Sequence, residues 1–76
     1  MNYDLAMMAL DGLARTPITV RLDGMVVTIS GPSAGLKELA RLLLLISSEA
    51  GEDAVELQPN VHVTKGSAAL RLVVSS

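Results

Sequence analysis

The spacing of apolar positions changes along this chain from helical to alternating, back to helical, and to alternating again toward the end. Tyr3, Met7, Leu10 and Ala14 recur at helical spacing, with Leu5, Met8 and Ala9 widening the apolar surface. The pattern predicts a helix over 2–14 with that stripe in the core. Asn2 is placed to cap it, Asp4 lies in its first turn, and Gly12 followed by Thr16-Pro17 ends it.

Ile18-Thr19-Val20-Arg21-Leu22 and Met25-Val26-Val27-Thr28-Ile29 then alternate around Asp23-Gly24, which predicts a hairpin with a type I′ turn. A two-residue loop there pairs Leu22 with Met25, Val20 with Val27 and Ile18 with Ile29. Those six share one face, and Thr19, Arg21, Val26 and Thr28 share the other. A slip of one residue would invert the faces.

Helical spacing returns after Ser30-Gly31-Pro32-Ser33 and predicts a second helix to about Ser48. Either Gly31 caps it with Pro32 at the first helical position, or Ser33 caps it one turn later. Leu36, Leu39, Leu43 and Ile46 form the expected core stripe, and Leu42 and Leu45 lie beside it where they too could be core. Leu44 falls with Lys37, Arg41 and Ser48 on the solvent side. A leucine there is either an ordinary exposed side chain or an interface residue, and the second case would make the chain a homodimer through this helix.

Gly51 breaks the pattern, and three short strands are expected after it: 54–58, 60–64 and 68–74. Val55 and Leu57, Val61 and Val63, then Leu70, Leu72 and Val74 alternate with polar or small residues, so each strand has one core face. Pro59 makes the first the weakest, since proline cannot donate to a central ladder. The expected fold is one α+β domain over residues 1–76. Its order is α-β-β-α-β-β-β, with two helices on one face of a small antiparallel sheet.

Composition then narrows the function. Half of the 76 residues are hydrophobic, yet the chain has one histidine, one tyrosine, and no cysteine, tryptophan or phenylalanine. Chemistry by side chains needs a nucleophile, a poised acid or base, or metal ligands gathered together. Such a chain is expected to be no enzyme and to use no cofactor or metal. The formal charge of −2 argues against a nucleic-acid partner. The longest aliphatic run, Leu42 to Ile46, is far short of the roughly 20 residues that cross a bilayer. Met1-Asn2-Tyr3-Asp4 has no basic region of the secretory type, so a soluble cytoplasmic protein is expected.

Three groups of residues could carry function. Glu49, Glu52, Asp53 and Glu56 cluster where the stretch from Leu42 to Thr64 has no Lys or Arg. They read either as a solvated loop or as a patch for a protein partner with a basic surface. Thr19, Arg21, Thr28, His62, Thr64 and Arg71 would gather on the outer sheet face. That face lacks the aromatics and dense basic charge of nucleic-acid binders and suits protein contact better. His62 has no Cys or Asp beside it and no triad spacing, so it reads as structural or as a contact residue. Gly-Pro-Ser-Ala-Gly at 31–35 matches neither phosphate-binding glycine pattern.

The run from Ser30 to Leu43, with Gly35-Leu36-Lys37-Glu38-Leu39-Ala40-Arg41-Leu42-Leu43 at its centre, resembles the strand-to-helix signature of the immunity protein 32 family. Asn60-Val61-His62-Val63 is similar to that family's His-containing strand, and Ser67 to Val74 to its last strand; the likeness spans about residues 25–74. It implies a small inhibitor that neutralises a toxin of a bacterial polymorphic toxin system by binding it. Two other functions fit the same residues: a phage- or plasmid-encoded inhibitor of a host defence complex, of the anti-CRISPR kind, presenting carboxylates where phosphates would sit, and a self-assembling structural subunit.

Overall fold

In the computed structural model, which describes residues 3–47 and 54–74, two helices and four strands follow in the order α1 (Tyr3–Arg15), β1 (Thr19–Asp23), β2 (Val26–Ser30), α2 (Ser33–Ser47), β3 (Ala54–Leu57) and β4 (Leu70–Val73). The α+β class is as expected. The sheet is not. The strands form two separate antiparallel pairs, β1 with β2 and β3 with β4.

The missing strand is 60–64, which forms a turn instead. Asn60 takes a φ of 66°, and the Gln58 carbonyl accepts from the N–H groups of Val61, His62 and Val63 at 3.1–3.3 Å. Pro59 supplies no N–H, and asparagine tolerates the left-handed region, so Pro59-Asn60 curls the chain where alternation suggested extension. Val63 alone is buried, and Val61 is exposed. The expected face of 54–57 and 70–74 does hold: Val55, Leu57, Leu70, Leu72 and Val74 turn toward the core.

That core is a single aliphatic cluster of Ala6, Ala9, Leu13, Ile18, Val20, Leu39, Leu42, Ile46, Leu57 and Val63. Leu39 and Ile46 on α2 and Ala9 on α1 are buried as expected and Leu10 packs against the cluster, but on both helices the buried stripe is rotated from the one the apolar spacing suggested. Ala6, Ala9, Gly12 and Leu13 are buried on α1, whereas Tyr3, Met7 and Ala14 are exposed. Gly35, Leu39, Leu42 and Ile46 are buried on α2, whereas Leu36 and Leu43 are exposed. Close approach is the physical reason. A Cβ at Gly12 would lie 2.7 Å from the Glu38 side chain, and one at Gly35 would run into the Thr16 carbonyl oxygen. Helices that meet over glycine and alanine bury the small residues and turn the long ones outward.

The helix ends also differ in detail. Gly12 lies inside α1, and its carbonyl accepts from both the N–H (3.0 Å) and the Oγ1 (2.9 Å) of Thr16 before Pro17 closes the helix. The Pro32 carbonyl accepts the first bond of α2 from the Leu36 N–H, which puts Pro32 itself at the cap position.

In the hairpin, Val20 lies opposite Ile29, Leu22 opposite Val27, and Asp23 opposite Val26. The turn is therefore Gly24-Met25, not Asp23-Gly24. Only Gly24 has positive φ, at 62°, which is the sign pattern of a II′ turn. The displacement is two residues along β2, so every paired side chain keeps its expected face. Met25 leaves the apolar face and caps the tip.

Candidate functional site

The first half of β1 is stitched to the chain after Pro59. Ile18 N–H donates to the His62 carbonyl at 3.4 Å, and Thr64 N–H donates to the Ile18 carbonyl at 2.8 Å. Ala68 N–H donates to the Val20 carbonyl at 3.0 Å, and Val20 N–H to Ser67 Oγ at 3.1 Å. A chain of hydroxyls continues from there. Ser67 Oγ lies 2.8 Å from Thr64 Oγ1, which lies 2.9 Å from Thr19 Oγ1.

These hydroxyls floor an open cleft of about 560 Å³ between β1 and the 64–68 loop, flanked by Arg21 and Lys65. Neither cation has an ion-pair partner among the described residues. The cleft is thus a cationic place on an acidic protein. Among the described residues that line it there is no carboxylate and no imidazole.

The outer sheet face expected from the sequence assembles only in part. Thr19, Arg21 and Thr64 meet at this cleft, and Thr28 lies opposite Arg21 on β2. Arg71 stands on the other sheet, where its guanidinium reaches Glu56 at 3.1 Å across the β3–β4 pair. His62 is folded into its own turn, with Nδ1 accepting from the Gln58 N–H at 3.3 Å. Burial lowers its pKa, which favours the neutral ring.

Of the acidic cluster, Glu49, Glu52 and Asp53 lie outside the described residues, as do Asn2, Ser48 and Gly51. Glu56 is exposed on β3 and engaged. It accepts from Arg71 and, at 2.8 Å, from the Gln58 amide, and these two bonds lower its pKa. Among the described residues no three His, Asp or Glu side chains come together to hold a metal. No described helix is long and apolar enough to cross a membrane.

Apolar side chains open to solvent are the feature that sequence reasoning placed least well. Tyr3 is 69% exposed and Met7 57%, and Leu36 and Leu43 are exposed on α2, whereas Leu44, at 70%, stands in solvent as expected. Leu22, Met25, Val26 and Val27 form the outer half of the hairpin and are mostly exposed, Leu22 at the edge of the cleft. The glycine and alanine content of the two helices was the signal for the first group, since small residues mark a seam where backbones approach. Comparison with family models, with curated proteins and with solved structures finds no match.

Proposed function

We propose that this protein acts by binding another protein and blocking it, as a toxin-neutralising immunity protein does. One observation carries the reading: both helices leave open an apolar stripe of core type, Tyr3 and Met7 on α1 and Leu36 and Leu43 on α2. Open side chains of this kind mark contact surfaces when they are contiguous with a polar rim. The resemblance of residues 25–74 to the immunity protein 32 family favours inhibition as the purpose of the contact. In this reading the acidic residues Glu49, Glu52, Asp53 and Glu56 steer a basic partner and set its orientation.

The cleft supports a second placement of the contact. Arg21 and Lys65 would receive carboxylates of a partner segment, with Thr19 and Ser67 beside them. Capture from host lysate separates the placements, using Met7→Glu with Leu43→Glu, Glu52→Lys with Asp53→Lys, and Arg21→Glu with Lys65→Glu. The helix reading expects one stoichiometric partner, lost in the first pair and associating more slowly in the second. Loss in the third pair alone moves the contact to the cleft. Capture that none of the three pairs weakens, or no captured partner, ends the proposal.

A further inference from the structure

Among the described residues, nothing pairs with the outer edge of β2. Backbone groups alternate in direction along a strand. Ile18 and Val20 direct theirs at the 62–68 loop, so Thr19, Arg21 and Asp23 direct theirs at β2, where Ser30, Thr28 and Val26 answer them. The N–H and C=O groups of Val27 and Ile29 therefore point away from the molecule, with no partner among the described residues. Natural proteins protect such edges with charge, proline, a bulge or a covering element. Val26-Val27-Thr28-Ile29-Ser30 has no charge and no proline, it pairs with β1 without a bulge, and all five residues are exposed.

We propose that this edge pairs with the same edge of a second copy of the chain, antiparallel, with Thr28 on the two-fold axis. The register follows from the outward groups. Val27 would exchange both backbone hydrogen bonds with Ile29 of the second copy, and Ile29 with Val27 of the second copy. Thr28 then faces Thr28 of the second copy in a non-hydrogen-bonded pair. β-Branched residues meet on one face and threonines on the other, both favourable cross-strand combinations. No like charges meet, because Arg21 and Asp23 stand one strand away on β1.

A second copy is the favoured occupant because the pairing cures the same weakness in both molecules. A lone two-stranded hairpin is marginal in water, and the outer half of this one is mostly exposed. Joining the two hairpins makes one four-stranded sheet that supports both. The pairing is separate from the partner contact proposed above, which uses the helices or the cleft.

The chain has no cysteine, so a single introduced one reports only contacts between copies. Non-hydrogen-bonded pairs hold Cα atoms about 4.5 Å apart, within disulfide reach. Under mild oxidation Thr28→Cys should form a covalent dimer about tenfold faster than Met25→Cys, since only the axial pair is already in position. Met25 is the more exposed residue, 102% against an exposed strand position, so exposure alone predicts the reverse order. Equal rates, or a faster Met25→Cys, would overturn the register. Wild-type protein should sediment as a dimer, and Thr28→Lys, which sets two like charges on the axis, should sediment as a folded monomer by circular dichroism. A wild-type chain that stays monomeric up to its solubility limit overturns self-pairing. A dimer lost in Leu44→Glu but kept in Thr28→Lys would assign the association to α2 instead. Partner capture retained by Thr28→Lys shows that the two proposals stand or fall separately.

Discussion

The α1–α2 seam and the β1–β2 hairpin are made of similar aliphatic residues and treat them in opposite ways. At the seam, glycine and alanine bring two backbones close, and Leu13, Leu39, Leu42 and Ile46 are shut away from water. In the hairpin, Ile18 and Val20 are equally buried, but Leu22 and Val27, next on the same face, stand in solvent. Hydrophobic character alone did not decide which became core. What decided was whether a second element lay within reach, and the 62–68 chain covers β1 only as far as Val20. The seam holds the fold together, and the outer hairpin is available to something else.

The sharpest way to break this comparison is at its buried end. Leu42 is fully buried between the helices, so Leu42→Ala should cost about 2–5 kcal/mol of unfolding free energy. A 76-residue chain has a margin of only several kcal/mol, on the order of 0.1 kcal/mol per residue. Urea titration should therefore find the variant's midpoint lowered by a large fraction of the wild-type value. A midpoint close to that of the wild type would mean that the seam is not the stabilising unit.

Two glycines sharpen the contrast, because they are needed for different reasons. Gly35 has an ordinary φ but no room, since its Cβ would meet the Thr16 carbonyl. Gly35→Ala should cost about 1–3 kcal/mol by forcing α2 away from the Thr16 backbone that follows α1. Gly24 has room but a φ of 62°, so Gly24→Ala should cost about 1 kcal/mol through backbone strain alone. Equal losses, measured by the same titration, would dissolve the distinction between packing at the seam and conformation at the tip.

How much of this was legible beforehand follows the same division. The alternation of 18–29 and of 70–74 located the strands and their faces, because a period of two survives a shift of two residues. The turn position did not, since Asp23-Gly24 and Gly24-Met25 both place glycine at a positive-φ site and differ only in whether Met25 is paired. The helix stripes were read correctly at Ala9, Leu39 and Ile46 and rotated elsewhere, because Tyr3, Met7 and Leu43 outweigh Ala6, Gly12 and Gly35 on any hydrophobicity count. Small size, which sets how closely helices approach, goes uncounted there. The acidic site was legible as composition alone. A run of carboxylates without bases says nothing about cross-strand pairing, and Glu56 is held by Arg71 fifteen residues away.

Acidification tests the anchored half of the hairpin with a smaller effect. His62 accepts from Gln58 through Nδ1, its carbonyl receives Ile18 N–H, and burial lowers its pKa. The neutral ring is thus favoured in the folded protein. Its contribution is complete above the unfolded value of about 6.5 and is lost as pH falls through the lower folded value. Thermal melts from pH 8 to 5 should show Tm falling for the wild type and falling less for His62→Gln. Parallel curves would show that the ring does not couple to folding. The Glu56 pKa is also lowered, so its contribution is present above the ordinary carboxylate range and disappears only in stronger acid.

The smallest effect is expected where the hydrophobic pattern alone would expect a large one. Leu22 shares a face with Val20 and belongs to the apolar alternation, and a reader of the pattern would bury it. It is 68% exposed, and its side chain is absent from the core cluster. Replacing it with threonine keeps a strand-forming residue and gives up almost no buried area. Leu22→Thr should shift stability by under about 0.5 kcal/mol in dilute solution, where pairing between copies contributes least. A loss approaching that of Leu42→Ala in the same dilute titration would mean that the outer hairpin is packed after all, and that the two regions do not differ in kind.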